Sequence, residues 1–357
     1  HDDERKFANF RRKAKQAAAS SVFDDSPPTS PSAPRKRFYD VQSYVLDVLE
    51  RKITSYEKWN KKYPGFGGYL PWYAVSDDGM DLLWDWQDRV PSLDNAELIW
   101  TLATTAIVLE DIGQKSLANR YWNYFKLLAE TSIMVFYEGD GKIRCVTRVR
   151  NITAQPSFEN YGPEGAPAAG CYLDDPYEGE LMAFFMDFYS DWNRANMSAD
   201  EERDKIWRLK RRKLQKATLH TAEGPIDVER GWWFSSHEKW KYMILPYTDV
   251  EINRRVFING EKARVRFSRE KLFGGLFASV TNVSQPGNYE PNYVSATGIQ
   301  EIAFQPVRTT DLVTPYAAYP LLIEEESRPY GLAWYANMLQ GSKMQGPLGS
   351  TESIDMR

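Results

Sequence analysis

Histidines, cysteines and long apolar runs are scarce in this chain of 357 residues, and each shortage argues against a class of protein. The three histidines, His1, His220 and His237, leave little material for a His-rich metal site or a Ser–His–Asp triad. Two cysteines, Cys145 and Cys171, allow one bridge but no disulfide scaffold. No stretch approaches the ~18 uncharged apolar residues of a membrane span, so the sequence predicts neither a transmembrane protein nor a membrane partner.

Several signature motifs and any large excess of charge are missing as well. The chain contains no G-x-S-x-G, no H-E-x-x-H, no glycine-rich phosphate loop and no C-x-x-C. Its 45 basic and 49 acidic residues give a net charge of −4, which offers no reason to expect nucleic acid as a partner. Carboxylates among aromatic side chains remain, and these are the groups used in glycoside hydrolysis.

Aromatic residues are abundant, with 12 Trp, 21 Tyr and 17 Phe making up 14% of the chain. A large core could bury all of them. However, Trp and Tyr also offer flat apolar faces with a polar edge, which suit a groove for sugar rings.

The chain divides into a tail and one globular part. Pro and Ser in residues 1–37 disfavour packed structure, so we predict a flexible tail there and a single domain over 38–357. The periodicity of that domain is mostly helical, and 142–149 predicts a β-hairpin. Paired helices with long, aromatic-rich connections favour an α-hairpin array or toroid. The predicted helices are 41–59, 94–111, 116–136, 178–192, 199–215, 236–245, 249–259, 317–326 and 330–339. The one over 94–111 is apolar all round and should be buried on every side.

Helix caps account for several carboxylates but leave one unexplained. Asp94 is predicted as an N-cap within a capping box. Asp175 is predicted as the N-cap before a first-turn Pro176, which places Glu178 at the capping-box position. Glu180 has no such explanation and lies among apolar helix neighbours, surroundings that favour the protonated form a general acid needs. A buried, hydrogen-bonded acid is the alternative interpretation.

Two segments combine aromatic and flexible residues. The loop over 61–79 has four Gly and several rings, so it suits either a sugar groove or an ordered cover for a helix end. Asp94 and Asn95 nearby could hold sugar hydroxyls. Residues 231–247 place six aromatics and His237 at a loop-to-helix junction, where a lone histidine is more often a structural hydrogen-bonding residue.

Three sequons, at Asn151, Asn196 and Asn282, point toward secretion. The first residue is His1 rather than Met, which indicates that a leader or tag has been removed. We therefore expect a secreted glycoprotein.

Five segments, in this order, resemble the endo-β-1,2-glucanases: GFGGYLPWY, PSLDNAELIW, YEGEL, GWWFSSHEKWKY and GLFASVTN. The resemblance spans residues 40–350 and is to the eukaryotic enzymes of glycoside hydrolase family 162. A weaker similarity reaches bacterial relatives and the glucoamylase-like domains of cyclic β-1,2-glucan synthases. It implies an all-α (α/α)6 toroid, a secreted monomer, and endo-cleavage of linear β-1,2-glucan to short sophorooligosaccharides. The implied mechanism is inverting and uses neither a metal nor a cofactor.

The resemblance also implies roles for individual residues. The acid is carried onto Glu180, with Glu178 as the alternative. The base is an Asp near the C-terminus; Asp355 is the in-chain candidate, but we expect the base, with the last helices of the toroid, to lie beyond Arg357. The residues expected to line sugar subsites, several of which must instead be core, are Phe66, Tyr69, Trp72, Asp94, Asn95, Trp232, Trp233, His237 and Tyr242.

Two alternatives to this function stay open. One is a hydrolase or transglycosylase acting on another glucan. The other is a non-catalytic glucan-binding paralogue.

Overall fold

The computed structural model describes residues 36–76, 79–83, 85–164, 170–176, 179–231, 240–271, 279–281, 292–294, 298–307, 312–313, 319, 321–340, 345–346, 349–350 and 354–355. Eight α-helices lie within these ranges: α1 (Lys36–Lys62), α2 (Ser92–Asp111), α3 (Lys115–Phe136), α4 (Glu180–Tyr189), α5 (Ala199–Arg212), α6 (Trp240–Ile244), α7 (Glu251–Lys271) and α8 (Arg328–Gln340). The described part is thus helix-rich, as predicted for an all-α protein, while the (α/α)6 toroid stays a prediction. None of the described helices is both long and apolar enough to cross a bilayer.

The chain divides into two compact units. Unit 1 comprises residues 1–173 and 181–208, and unit 2 comprises residues 174–180 and 209–357. Helix α1 begins at Lys36, two residues inside the segment predicted as the tail. The single domain predicted over 38–357 stays a prediction.

Short antiparallel strands accompany the helices in the described ranges: β1 (Tyr73–Ser76), β2 (Gly79–Leu82), β3 (Arg89–Pro91), β4 (Tyr137–Gly139), β5 (Lys142–Ile143), β6 (Val146–Val149), β7 (Tyr161–Pro163), β8 (Lys216–Thr221), β9 (Gly224–Glu229), β10 (Ser279–Thr281), β11 (Asn292–Val294), β12 (Leu312–Val313), β13 (Gln345–Gly346), β14 (Gly349–Ser350) and β15 (Ile354–Asp355). Strand β6 lies between β3 and β7, and the other strands form pairs: β1–β2, β4–β5, β8–β9, β10–β11, β12–β15 and β13–β14.

The hairpin predicted at 142–149, with Gly139 and Gly141 nearby, is confirmed in part. Strands β4 and β5 pair across a turn at residues 140–141, whereas β6 belongs to a different sheet. Between β5 and β6, Arg144 pairs with Tyr172, and Cys145 forms a disulfide with Cys171. The Cys145 N–H also donates to the Cys171 carbonyl over 2.9 Å. Residues 171–172 therefore hold Arg144 and Cys145, which connect β5 in one sheet to β6 in the next.

Helices α2 and α3 form the core of unit 1. Ile99, Trp100 and Leu102 of α2 are almost fully buried, and the Trp100 indole N–H donates to the Leu181 carbonyl (2.9 Å). The expectation that this helix is buried on every side is wrong. Thr101, Thr104 and Val108 are exposed, and these positions share one face of a helix.

Two segments of unit 2 differ from the sequence prediction. Strands β8 and β9, of six residues each, form a hairpin that helical periodicity did not reveal. Their alternate residues Leu219, Ile226 and Val228 pack on Ala263 and Phe267 of α7. Among the described residues, the α-helix predicted over 317–326 is wrong, since residues 321–322 have 3-10 geometry and residues 323–327 form turns and a bend. There the Ser327 hydroxyl bonds back to the Leu321 carbonyl over 2.7 Å.

Candidate active site

A buried carboxylate begins helix α4. Glu180 is the first residue of that helix, and only 7% of its side chain is exposed. Its Oε2 accepts a hydrogen bond from the Lys241 ammonium, and its Oε1 accepts one from the Tyr247 hydroxyl. All three residues belong to unit 2. Because both carboxyl oxygens are held, the side chain has a fixed direction before any ligand binds.

Lys241 and Tyr247 come from two short helical turns. Lys241 lies in α6, and Tyr247 begins the 3-10 turn Tyr247–Asp249. The turns are joined through Leu245, whose N–H donates to the Lys241 carbonyl (2.8 Å) and whose carbonyl accepts the Tyr247 N–H (2.7 Å). The Lys241 Nζ also lies 4.8 Å from the centroid of the Tyr247 ring, a cation–π distance. With 3% of its side chain exposed, this ammonium is enclosed between a carboxylate and a ring.

Lys241 and Tyr247, the two partners of Glu180, differ in the hydrogen bonds that they can form. An ammonium only donates hydrogen bonds, whereas a phenol both donates and accepts. If Glu180 takes up a proton, the bond to Tyr247 can reverse, so that Tyr247 accepts while Lys241 still donates to the other oxygen. The cluster can therefore accommodate Glu180 in both protonation states, as a group that gives up and regains a proton requires.

The start of α4 differs from the sequence prediction. The predicted N-cap Asp175 lies five residues before the first helical residue, Glu180. Gly179, directly before Glu180, has φ 75°, which is outside the right-handed helical region. Asp175 therefore does not cap α4, and Glu178 lies outside the described residues.

Two lysines fix the segment that leads to Glu180. The Lys210 ammonium, on α5 and 4% exposed, donates to the Asp175 carbonyl over 2.8 Å. Lys213, just after that helix, pairs with Asp174 over 2.7 Å. These contacts place the chain before the helix, and all of them lie within unit 2.

The first half of the aromatic loop is part of the core. Phe66 is fully buried and stacks on Trp59, with ring centroids 6.0 Å apart. Tyr69 is also fully buried, and its hydroxyl donates to the Leu128 carbonyl of α3 over 2.6 Å. Burial raises the pKa of Tyr69 well above its usual value. Neither ring reaches solvent, and a buried ring cannot stack on a sugar. Phe66 and Tyr69 are therefore among the predicted subsite aromatics that belong to the core instead.

Asn95 holds the second half of that loop. Its Oδ1 accepts the Leu70 N–H (2.9 Å), and its Nδ2 donates to the carbonyls of Leu70 (2.8 Å) and Pro91 (2.6 Å). The side chain is 2% exposed, and three of the four hydrogen bonds of its amide are formed within the protein. The expectation that it binds sugar hydroxyls is corrected: the amide fixes the backbone two residues before Trp72.

Asp94 is not the N-cap of its helix. Helix α2 begins at Ser92 after an N-cap at Pro91, so Asp94 lies in the first turn, where a carboxylate also suits the helix dipole. Its Oδ2 accepts the indole N–H of Trp72 over 2.5 Å. Trp72 is 45% exposed and packs on Trp86, with ring centroids 4.2 Å apart. Of the loop aromatics predicted to bind sugar, Trp72 is therefore at the surface while Phe66 and Tyr69 are not.

The remaining predicted residues are partly described. Tyr242 is 8% exposed and packs on Phe257 and Tyr247, with centroids 4.2 Å and 5.2 Å away, next to the Glu180 cluster. Asp355 lies in β15 with its backbone paired to Leu312. Trp232, Trp233 and His237 lie outside the described residues.

Sequence reasoning missed three residues of these sites. Lys241 and Tyr247 are separated from Glu180 by 61 and 67 residues, so no local spacing indicates their contact. Trp86 could have been suspected only from being an aromatic near a turn. Among the described residues, no group of three or more His, Cys, Asp or Glu is placed to hold a metal ion.

Comparison with known proteins identifies related enzymes. A family model described as endo-β-1,2-glucanase SGL matches residues 13–357. A structure of the endo-β-1,2-glucanase from Talaromyces funiculosus with sophorose is 37% identical to this chain, with a TM-score of 0.77. A mutant of that enzyme, with one glutamate replaced by glutamine and β-1,2-glucan bound, is 36% identical with a TM-score of 0.77.

The solved relatives are longer than this chain. Each comparison covers 87% of this chain but 62% of the solved one. This chain therefore spans less than two thirds of their length. A comparison with curated proteins gives no match.

Proposed function

The chain belongs to the endo-β-1,2-glucanase family SGL, glycoside hydrolase family 162, and from this membership we propose that it cleaves linear β-1,2-glucan internally. The products are short sophorooligosaccharides. The solved relatives were obtained with sophorose and with β-1,2-glucan, which supports this substrate class. The observation within this chain that carries the proposal is Glu180, a buried carboxyl group held by Lys241 and Tyr247.

In the proposed mechanism Glu180 is the general acid. It protonates the glycosidic oxygen of the leaving sugar while a second carboxylate activates water on the opposite face, which inverts the anomeric carbon. Tyr247 and Lys241 position Glu180 and accommodate its change of charge. That a relative was captured with glucan as a glutamate-to-glutamine mutant is in keeping with an essential glutamate.

The acid assignment is tested with Glu180→Gln. We expect kcat on β-1,2-glucan to fall by about 10²–10⁴-fold, the usual contribution of general acid catalysis. An aryl β-sophoroside with a good leaving group needs no protonation, so the variant should cleave it at close to the parental rate.

The matched control is Glu202→Gln. Glu202 of α5 also accepts hydrogen bonds from a tyrosine, Tyr137, and a lysine, Lys205, but within unit 1. Its variant should keep parental kcat. Parental activity of Glu180→Gln on β-1,2-glucan would refute the assignment and make Glu178→Gln the next variant to measure.

The ion pair favours a second role for Glu180. In that role the Glu180 carboxylate would take a proton from the attacking water. In that case Glu180→Gln would lose activity on the aryl sophoroside as well as on glucan, so the same assay separates the two roles.

The general base, the stereochemistry and the alternative reactions are tested by product analysis. Asp355→Asn should leave activity unchanged if the base is another residue. Proton NMR of the first products should show the α-anomer for an inverting hydrolase. A β-anomer with lengthened chains would indicate a transglycosylase, and binding of glucan without products would indicate a non-catalytic paralogue.

We also propose that the protein is secreted and acts as a monomer without a metal or cofactor. The Cys145–Cys171 bridge suits an oxidising compartment. Asn151 and Asn196, two of the sequon residues, are exposed. Expression through a eukaryotic secretory pathway, with glycosidase treatment and light scattering, tests glycan attachment and mass. Retention in the cell or a dimeric mass would contradict this proposal.

A further inference from the structure

Two tryptophans form an exposed pair on unit 1. Trp72 is 45% exposed, Trp86 is half-buried, and their rings lie 4.2 Å apart at an interplanar angle of 33°. A single exposed apolar residue is common on protein surfaces, but here Trp86 packs against one face of the Trp72 ring and supports a large side chain that stays at the surface. Burial in the core does not account for Trp72, unlike Phe66 and Tyr69 of the same loop.

The Trp72 ring is held in a fixed orientation. Its indole N–H donates to Asp94 Oδ2 over 2.5 Å, which fixes the ring at its polar edge. Asn95 fixes the backbone two residues earlier through both the N–H and the carbonyl of Leu70. Since α2 carries both Asp94 and Asn95, one helix turn controls the side chain and its loop. A ligand that stacks on this ring pays little for ordering it.

The second ring is held as well. The guanidinium of Arg89 lies 5.9 Å from the Trp86 ring centroid and pairs with Glu164 over 2.9 Å. Arg89 also begins β3, which pairs with the central strand β6. Trp86 therefore lies beside a side chain whose backbone is anchored in this sheet.

We propose that Trp72 and Trp86 form a saccharide-binding platform, on which a glucose ring of a β-glucan chain stacks while a sugar hydroxyl donates to Asp94. The C–H face of a pyranose matches an indole face, and a carboxylate with one of its roughly four lone-pair positions occupied can accept further hydrogen bonds. The carboxylate of Asp94 disfavours a phosphate-bearing ligand, whereas a neutral glucan is not repelled. The solved relatives with sophorose and β-1,2-glucan indicate this ligand class. The inference rests on the proposed function.

The test is calorimetric titration of the full chain with sophorose and longer β-1,2-gluco-oligosaccharides, in the Glu180→Gln background. Trp72→Ala should weaken binding about tenfold, equivalent to ~1.4 kcal/mol. Trp72→Phe should weaken it less, because a ring remains but its anchor to Asp94 is lost. The control is Phe158→Ala, which removes an aromatic ring of equal exposure, 44%, elsewhere in unit 1, and should leave affinity unchanged. Thermal unfolding checks that each variant is folded.

Each outcome supports or overturns the platform independently of the reaction. Affinity of folded Trp72→Ala within twofold of the Glu180→Gln parent would overturn it, even if the wild-type chain cleaves β-1,2-glucan. A parent that binds β-1,3- or β-1,4-glucan instead, with that binding lost in Trp72→Ala, would retain the platform and reject the proposed substrate. A parent that binds no glucan would overturn both.

Discussion

The Lys241 ammonium donates to Glu180 while 3% and 7% of the two side chains are exposed. A buried ion pair is a weak source of stability as a whole, but removing one member leaves an uncompensated charge in a medium of low polarity. The pair therefore ties the folding of unit 2 to the position of the candidate acid.

Lys241→Met should destabilise the protein by about 3–5 kcal/mol and reduce activity. The cost arises because Glu180 would remain buried without its cation. Urea unfolding measures it. Lys205→Met is the control, since the Lys205 side chain is more exposed and its pair with Glu202 should contribute little to stability. Equal losses of unfolding free energy in the two variants would contradict the inference that burial of the ion pair causes the larger loss.

Asn95→Ala should destabilise unit 1 by about 2–4 kcal/mol, because the buried N–H and carbonyl of Leu70 lose their partner. It should also weaken oligosaccharide binding by releasing Trp72. Asn259→Ala, which removes one exposed hydrogen bond to the Asp227 carbonyl, should cost less than about 1 kcal/mol. Chemical unfolding monitored by tryptophan fluorescence checks both. An unfolding midpoint of Asn95→Ala equal to that of the parent would show that other contacts hold the loop.

Gly141→Ala should cost more than Gly113→Ala. Both glycines have nearly the same left-handed backbone, with φ 79° and 80°, so the conformational penalty of about 1 kcal/mol is shared. A Cβ at Gly141 would lie 2.5 Å from the Lys205 carbonyl, whereas one at Gly113 meets nothing within 4 Å. We expect an additional loss of about 1–3 kcal/mol at Gly141, measured by thermal unfolding. Equal melting temperatures would contradict this contact.

Replacing both Cys145 and Cys171 by serine should destabilise the protein by about 3 kcal/mol, as expected for a bridge across 26 residues. The bridge restricts the unfolded chain and fastens residues 171–173 beside residues 143–145. The melting temperature should fall, and a reductant should lower that of the parent but not of the double variant. If the reductant lowered the melting temperature of both proteins, the loss of stability would not come from this disulfide.

Glu202 should make stability depend on acid pH. Its burial favours the neutral form, but hydrogen bonds from Lys205 and Tyr137 outweigh this and lower the pKa of Glu202 below 4.5. A carboxyl whose pKa is lower in the folded state stabilises fully above its unfolded pKa and loses that contribution as pH falls through the folded value. Glu202→Gln should therefore lose less stability than the parent as the pH falls from neutral through the lowered pKa of Glu202, as measured by urea midpoints. If stability depended on pH equally in the variant and the parent, Glu202 would not be the source of this dependence.

Local patterns predicted much of the helical structure. Apolar periodicity located α2 and α3 to within two residues at each end, and the order of the aromatic motifs indicated the family. Capping logic was less reliable. Asp94 and Asp175 have cap-like sequences, yet α2 begins earlier and α4 later, since backbone contacts and the left-handed Gly179 decide where a helix starts.

The sequence by itself determined that Glu180 is an unusual carboxylate, because it lies among apolar neighbours and no capping position explains it. Tertiary structure decided what holds it, since Lys241 and Tyr247 approach from more than 60 residues away and such contacts depend on packing rather than spacing. It also decided that Phe66 and Tyr69 are core while Trp72 is exposed, although one loop carries all three. Local sequence encodes the periodicity of single elements, whereas the face that each side chain presents is set by the elements packed around it.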